Sequence, residues 1–372
     1  MVGIGKNFLK ESNRRLILKV IYENSPISRT QIVRHTNLSK VTVTRIVNEL
    51  IKSGLVFEGE QTASSGGRPQ VLIRLIPDAR YAIGADIGIS DVKIGVCDLR
   101  CNVLFKLEKK ITPKIESNKL AELLFNSVKE LIRSSNVHAD KVLGVGISMP
   151  GVIDADKGIV KSSFILSERN VPLEGILENK LKLNVVVDRD ANAGLFYERF
   201  MGKGKDIDDI LYIYTRKNEA GEMGVGCSFL LDSQIYRGAD YCAGEIGLAH
   251  SDDEKEAIFE PFSSYESIPF RNAMQAAKNG DEQANKILFE VGEKIGQGIS
   301  FLVNLLNPKL VIVGGDFSMA GEPFFKSLAN SLERHIFDFS TKDIKLESSS
   351  ADEYSGIKAA AFMVIAKTVG YK

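Results

Sequence analysis

The chain has 372 residues, a length that allows two or three domains. Its 48 basic and 48 acidic residues balance, and its hydrophobic content of 44% is enough for ordinary buried cores. The sequence has no secretory signal pattern and no apolar run that could cross a bilayer, so we expect a cytoplasmic location and no membrane partner.

The first predicted elements form a helix-turn-helix. Ser28 and Gln31 have the spacing of a capping box, which predicts the start of a short helix. Asn37 and Leu38 form the turn, and Ser39 is placed to cap a second helix. An apolar stripe at helical spacing follows, and Gly54 closes it; the stripe consists of Val43, Ile46, Val47, Leu50 and Ile51. An apolar pattern between Leu9 and Ile21 predicts a preceding helix that completes the core.

The second helix has the properties of a DNA recognition helix. The side chains opposite its apolar stripe include Val41, Thr42 and Arg45, and Arg45 suits the acceptor edge of a guanine. Lys40 is placed to meet phosphate. Two short strands follow around a tip with Gly66-Gly67-Arg68, which predicts a wing whose Arg68 enters a minor groove. The alternative is a generic helical hairpin with a solvated basic face.

The charge is unevenly distributed along the balanced chain. Residues 1–75 contain 12 Lys or Arg and 5 Asp or Glu, a net charge of +7. The remainder contains 36 basic and 43 acidic residues, a net charge of −7. A basic end on an acidic body favours contact with nucleic-acid phosphates, although chance segregation gives the same pattern.

From Tyr81 onward, apolar strands alternate with amphipathic helices, which predicts an α/β fold. Polar residues and glycines follow several buried strands, at Asp86, at Asp190 with Asn192, and at Gly314-Gly315. Ligands bind at such strand ends in open α/β sheets. A carboxylate there suits a general base for phosphoryl transfer, and a glycine turn lets backbone N–H groups approach phosphate. Each feature alone also occurs as an ordinary cap or turn.

The order of these motifs resembles the ROK family, which holds bacterial repressors, sugar kinases and related open reading frames. The resemblance runs from about Tyr81 to about Ala366 and includes segments whose order is specific to the family. These segments are Asp86-Ile87-Gly88, Met149-Pro150-Gly151, Asp190-Ala191-Asn192-Ala193, Ala243-Gly244-Glu245-Ile246-Gly247, Asn307-Pro308 and Gly314-Gly315. The resemblance implies a two-lobed actin-like, ribonuclease-H-like ATPase fold. A winged helix ahead of that fold is similar to the repressor branch.

The resemblance also implies roles for individual residues. Asp190 matches the family's catalytic base and a sugar-binding position. Asn192, Glu245 and Glu260 match or neighbour sugar-binding positions. The positions that match the nucleotide-binding loops are Asp86, Gly88, Gly224, Gly226, Gly314 and Gly315.

The phosphate loops depart from the family's pattern. The first loop reads Asp-x-Gly-Gly-Thr-Lys in family kinases, whereas Ile89 and Asp91 here remove a glycine and place a carboxylate beside the phosphates. Glu222 adds a carboxylate to the second loop. Like charges about 4 Å apart repel by about 1 kcal/mol in water and by more at lower dielectric. We therefore expect no cofactor requirement, and ATP with magnesium only if the chain is a kinase.

The zinc site of the family is also missing its ligands. Leu248 stands at the position of a metal-binding His, and the segment Ser251 to Phe259 lacks cysteine. The four cysteines, Cys97, Cys101, Cys227 and Cys242, form no Cys-x-x-Cys pair and are expected to be free thiols. We therefore predict no structural zinc.

These observations favour a sugar-responsive DNA-binding transcription regulator, most simply a repressor of carbohydrate-utilisation genes. The expected partners are a double-stranded DNA operator and a sugar effector, and the expected assembly is a homodimer or a dimer of dimers. The alternative is an ATP-dependent hexose or N-acetylhexosamine kinase with a fused DNA-binding domain. A structural scaffold leaves the polar strand ends without a role. The predicted domains are residues 1–75, residues 76–192 with 350–372, and residues 193–349.

Overall fold

The computed structural model describes residues 2–61, 69–217, 223–246, 270–337, 344–350 and 352–371. The α-helices of these residues, numbered along the chain, are α1 Val2–Asn24, α2 Arg29–Thr36, α3 Lys40–Lys52, α4 Ser117–Ser134, α5 Leu173–Leu181, α6 Asp190–Met201, α7 Phe270–Lys278, α8 Glu282–Leu306, α9 Glu322–His335 and α10 Ser355–Val369. Among the described residues, no helix has both the length and the apolar content of a membrane span.

The β-strands of the described residues assemble into several sheets. Their bounds are β1 Ile27–Ser28, β2 Val56–Gln61, β3 Val71–Leu75, β4 Tyr81–Ile87, β5 Asp91–Asp98, β6 Val103–Lys110, β7 Val142–Met149, β8 Val152–Asp154, β9 Ile159–Ser162, β10 Asn184–Arg189, β11 Ile210–Lys217, β12 Met223–Leu231, β13 Gln234–Tyr236, β14 Leu310–Gly315 and β15 Lys345–Ser348. The sheet orders are β1-β3-β2, β10-β7-β4-β5-β6, β13-β12-β11-β14-β15 and the β8-β9 pair. The α/β prediction is confirmed.

Helices α1 to α3 and the small sheet β1-β3-β2 form the winged helix-turn-helix. Ser28 accepts the Gln31 N–H, and the Gln31 side chain accepts the Ser28 N–H at 2.9 Å, so the capping box is formed. Asn37 adopts a left-handed conformation with φ 55°, which turns the chain into Ser39, the N-cap of α3. Four residues of the predicted apolar stripe of α3 are buried against α1 and α2, and Ile51 is partly buried beside them.

The sheet β10-β7-β4-β5-β6, called here the first sheet, carries the ends of β4 and β10 at one edge. Strands β4, β7 and β10 are parallel, so their carboxyl ends meet there. On one face α10 lies almost in backbone contact, because a Cβ on Gly84 would stand 2.0 Å from the Ile357 carbonyl oxygen. Gly146 approaches the Ala360 carbonyl oxygen in the same way. Both strands need glycine for this packing.

The sheet β13-β12-β11-β14-β15, called here the second sheet, is covered by α8 and α9. The long helix α8 is buried along one face at Leu288, Ile295 and Ile299. Strand β11 pairs parallel with β14 and antiparallel with β12. The carboxyl end of β11 is thereby directed toward the ends of β4 and β10, where Arg216 meets Asp86.

The winged helix-turn-helix shares one hydrophobic core with the first sheet. Its core residues form a continuous cluster with residues of β5, α6 and α10. Tyr22 of α1 is buried, its ring packs edge-on against Tyr371 at 6.1 Å between centroids, and its hydroxyl donates to the Met201 sulfur at 3.6 Å. Arg100 donates to the Tyr22 carbonyl at 2.7 Å. The winged helix-turn-helix is therefore packed onto the end of α6.

Candidate functional site

The predicted DNA-contacting residues lie on the solvent face of α3. Val41 is 79% exposed, and Lys40 and Arg45 are exposed beside it. Thr42 is half-buried because its N–H and hydroxyl both contact the Ser39 hydroxyl, at 3.1 and 2.9 Å. This places Lys40, Val41 and Arg45 on one accessible surface at the N-terminal part of α3, where a recognition helix meets base edges.

Two arginines of the module have partners that the sequence did not predict. Arg45 donates to Glu49 at 2.8 Å, an exposed pair whose disruption costs about 0.3–0.5 kcal/mol. Arg29 donates to Asn48 at 3.1 Å and to Glu58 at 2.7 Å, so it joins α2 to α3 and to the wing strand β2. Arg68 lies outside the described residues, and its DNA contact remains a prediction.

Three charged residues meet where β4, α6 and β11 converge. Asp86 ends β4, Asp190 begins α6 directly after β10, and Arg216 lies near the end of β11. Arg216 forms a direct hydrogen bond with the Asp86 carboxylate, donates to the Ile87 carbonyl at 2.9 Å, and stands 3.6 Å from an oxygen of Asp190. The second oxygen of Asp86 accepts the Ser148 hydroxyl at 3.0 Å. An arginine thus joins the two carboxylates that the sequence assigned to phosphoryl transfer.

Burial raises the pKa of Asp190 above its ordinary value, and the nearby Asp86 carboxylate acts in the same direction. The Arg216 guanidinium and the N–H of Ala191 oppose this rise. Burial by itself lowers the pKa of Arg216, but the neighbouring groups, the Asp86 and Asp190 carboxylates among them, raise that pKa well above its ordinary value, so Arg216 remains a cation. The electrostatics of this position depend on the arginine as much as on the aspartates.

Next to this triad, Asn192 is held in a buried hydrogen-bond network. Its amide oxygen accepts the Ser228 hydroxyl at 2.7 Å and an Arg189 guanidinium N–H at 3.2 Å, and its amide nitrogen donates to Asp188 at 3.0 Å. Arg189 also donates to Glu245 at 2.8 Å. The predicted sugar-binding residues Asn192 and Glu245 therefore lie together, joined by an arginine from the end of β10.

Further contacts join the same edge of the first sheet to residues that follow β13. Arg237 donates to Asp188 at 2.6 Å, and Tyr241 donates to Asp156 at 2.7 Å. The Nε atoms of Arg189 and Arg237 are buried and have no hydrogen-bond partner among the described residues. Buried donors ordinarily have partners, so these two Nε atoms are left unsatisfied by the described residues.

The glycines matched to nucleotide loops have specific positions in the fold. Gly224 and Gly226 lie in strand β12, directly opposite Arg216 and Tyr214. Gly315 has φ 70°, and a Cβ there would stand 1.8 Å from the Thr215 carbonyl oxygen. Gly314 lies similarly close to the Tyr212 hydroxyl. Close packing against β11 is therefore enough to explain why positions 314 and 315 are glycines, without a role in nucleotide binding.

At Gly88 the first loop is closed by Asp91. The Gly88 N–H donates to the Asp91 carbonyl at 2.7 Å, and a Cβ on Gly88 would stand 2.2 Å from an oxygen of the Asp91 carboxylate. The carboxylate that the sequence placed beside the phosphates therefore covers this turn.

The sequence did not predict roles for Arg189, Arg216, Arg237 or Ser228. Arg189 stands directly beside the matched Asp190 motif, and Arg237 lies in Tyr236-Arg237-Gly238-Ala239, which also resembles the family. Nothing local marked Arg216 or Ser228, because their partners are distant in sequence. Glu260, Leu248 and the segment Ser251 to Phe259 lie outside the described residues. The cysteines Cys97, Cys101, Cys227 and Cys242 are free thiols.

Comparison with known proteins agrees with both parts of the chain. The model of the ROK family matches residues 82–258 and 263–367, and a winged helix-turn-helix DNA-binding model matches residues 10–56. A xylose repressor of Caldicellulosiruptor bescii is 30% identical, with 98% of each chain covered. The DNA-binding transcriptional dual regulator NagC of Escherichia coli K12 is 24% identical, covering 96% of this chain and 93% of NagC.

Solved structures show the same fold. A ROK family transcriptional regulator described as a homolog of the E. coli MLC protein superposes with a TM-score of 0.77 at 22% identity, covering 97% of this chain and 96% of the other. A ROK family glucokinase from Streptomyces griseus, in complex with glucose and AMPPNP, has a TM-score of 0.62 at 22% identity and covers 76% of this chain and 98% of its own. The part that the glucokinase match leaves uncovered agrees in size with the N-terminal module. The chain belongs to the ROK family and carries a winged helix-turn-helix ahead of its actin-like, sugar-kinase-type domain.

Proposed function

We propose that this protein is a sugar-responsive DNA-binding transcription regulator that acts as a repressor of carbohydrate-utilisation genes. The observation that carries the proposal is the winged helix-turn-helix, whose α3 presents Lys40, Val41 and Arg45 to solvent while its core is continuous with a sugar-kinase-type domain. The repressor names of the full-length relatives support the same function. Because the proposed partner is DNA, we expect the protein to act in the cytoplasm.

The effector site that we propose lies between the carboxyl edge of the first sheet and the residues after β12. Asp190 and Glu245 supply carboxylate acceptors for sugar hydroxyls, and Arg189 and Arg237, which pair with Glu245 and Asp188, place guanidinium donors beside them. Asn192 acts indirectly, because its amide is occupied by Arg189, Asp188 and Ser228. A neutral polyhydroxylated ring suits such an alternation of donors and acceptors.

Helix α6 connects this site to the DNA-binding module. It begins at Asp190 and ends at Met201, whose sulfur accepts the Tyr22 hydroxyl of α1. Twelve residues of helix span about 18 Å. A sugar that alters the contacts at Asp190 therefore displaces a rigid element packed against the module, and a ligand that prefers one arrangement shifts the population toward it.

The function is tested by binding to DNA upstream of the protein's own gene. Fluorescence anisotropy is measured with a labelled fragment, with and without D-xylose, N-acetylglucosamine and glucose. We expect saturable binding that one sugar weakens, and Glu245→Gln to reduce the response to that sugar. Glu333→Gln, an exposed glutamate of α9, is the matched control and should keep the response. Absence of affinity for any upstream fragment would contradict the proposal.

The kinase alternative is tested on the same preparation. Asp190 keeps the position of a catalytic base at the start of α6, which is the observation that favours it. If the wild type consumes ATP in the presence of a hexose and Asp190→Asn does not, the kinase replaces the regulator as the proposed function. Sedimentation velocity tests the proposed homodimer, which follows from the two-fold symmetry of operator half-sites.

A further inference from the structure

The space between Asp86 and Asp190 differs from a magnesium-nucleotide site because a positively charged side chain of the protein already lies in it. Two carboxylates from different elements, the end of β4 and the start of α6, face one point. In a site for a magnesium nucleotide, carboxylates of this kind serve a divalent cation that keeps several waters and bridges to phosphate. Here the Arg216 guanidinium lies at that point, bonded to Asp86 and 3.6 Å from Asp190.

The surrounding residues do not fit a nucleotide either. Ser148 and Arg216 occupy the two oxygens of Asp86, and Arg216 also takes the Ile87 carbonyl. Asp91 folds its carboxylate over Gly88, where a phosphate would need backbone N–H groups. The N–H of Phe317, which follows the Gly314-Gly315 turn, donates to the Thr215 hydroxyl at 3.0 Å. The donors and acceptors that would hold a metal and its phosphates are therefore used within the chain.

We infer that Arg216 takes the place of the magnesium nucleotide that a kinase of this fold would bind. Its guanidinium supplies from within the chain the positive charge that joins Asp86 and Asp190. It thereby excludes magnesium and ATP from the space between these residues, called here the cleft. The arginine comes from β11 of the second sheet and its partners come from the first sheet and α6, so the same contacts also link the two sheets. Arg216 is thus the residue that determines specificity for a ligand without phosphate. This inference concerns the cleft alone and is tested without DNA or sugar.

Removal of the guanidinium should turn the position into a cation site. Arg216→Gln leaves two carboxylates that face each other without a counter-charge, the arrangement that a hard divalent cation stabilises. We expect the melting temperature of Arg216→Gln to rise with MnCl2 in a saturable way, whereas the wild type does not respond. Proton relaxation enhancement by bound Mn2+ should appear in the variant alone. In Arg216→Gln with Asp86→Asn, both signals should disappear.

Arg334→Gln is the matched control, because it removes an arginine paired with Glu293 at 2.6 Å on the surface of the second sheet's helices. It should behave as the wild type toward MnCl2. Saturable binding of Mn2+, or of Mg2+ with AMPPNP, by the wild type would overturn the inference. A folded Arg216→Gln variant whose melting temperature does not change with Mn2+ would also overturn it. If Arg216→Gln folds only with MnCl2 present, the inference is supported; if MnCl2 does not restore folding, it is rejected.

Discussion

Arg45 lies on the exposed face of α3, the surface that we propose contacts DNA. Its guanidinium is held by Glu49 on the exposed face of α3, and an exposed pair of this kind is weak enough to be exchanged for a base contact. The geometry leaves Arg45 close to Val41, one helical turn earlier, so both side chains reach one short stretch of groove.

We expect Arg45→Ala to weaken operator binding by about 1–3 kcal/mol, because a bidentate contact with guanine is lost. Anisotropy titration at fixed salt measures the change. Arg334→Ala is the control, since it removes an equally exposed arginine from an ion pair with Glu293 far from the module. Equal affinities of Arg45→Ala and wild type would remove Arg45 from the DNA interface.

Helix α6 carries the signal in the proposed mechanism, and its buried side chains show how it is anchored. Glu198 accepts the N–H groups of Lys203 and Ser350, each at 2.8 Å, and so fixes α6 to the residues that precede α10. Burial raises the pKa of Glu198, against the lowering effect of these N–H donors. Folding therefore favours the protonated form of Glu198 more than the unfolded chain does.

It follows that the contribution of Glu198 to stability is largest below its unfolded pKa, about 4.3, and is lost as the pH rises through the higher folded value. Compared with Glu198→Gln, the wild type should lose free energy of unfolding as the pH rises across that interval. Urea unfolding at a series of pH values measures the difference. If the free energy of unfolding of the wild type instead rises with pH relative to Glu198→Gln, folding lowers the pKa of Glu198.

The contact of α6 with α1 is tested at its far end. Met201→Ala removes the sulfur that meets the Tyr22 hydroxyl, so movement of α6 should reach the DNA-binding module less effectively. We expect the difference in operator affinity with and without the effector sugar to shrink by about 0.5–2 kcal/mol. Met319→Ala, an exposed methionine beyond β14, should leave the difference unchanged. An unchanged response in Met201→Ala would exclude this contact as the route.

At the scale of the whole molecule, the DNA-binding module shares a core with α6, α10 and the face of the first sheet that α10 covers, whereas the opposite face of that sheet, and the second sheet with α8 and α9, have separate cores. Elements with a common core lose their protection together when that core is weakened. The module is therefore a part of the first sheet's cooperative unit and not an appended domain on a linker.

We expect Ile46→Ala, a truncation inside α3, to cost about 2–5 kcal/mol and to speed hydrogen exchange in α10 as well as in α3. Strand β14 should keep its protection. Ile299→Ala in α8 is the matched variant, because Ile299 is equally buried and belongs to the other core. It should have the reverse effect. Loss of protection confined to α1–α3 in Ile46→Ala would show that the module unfolds independently.

Local chemistry let the sequence determine the DNA-binding module almost completely. The capping box at Ser28, the left-handed turn at Asn37 and the apolar stripe of α3 are interactions between residues a few positions apart, so the sequence displays them. The buried strands and the long helix α8 were predictable for the same reason, since periodicity is local. Asp86, Asp190 and Asn192 were found from their positions after strands, where the topology brings ligand-binding residues together.

Only the tertiary structure decided what those residues contact. Arg216 lies 130 positions from Asp86 along the chain, and Arg237 lies 49 positions from Asp188, so no spacing could pair them. Helix α6 was likewise not predicted as an element that joins the cleft to Tyr22. The sequence determined which groups could carry charge and where each strand ended. The packing of two sheets against α6 decided which charges meet, because electrostatic partners depend on distance in space and not on separation along the chain.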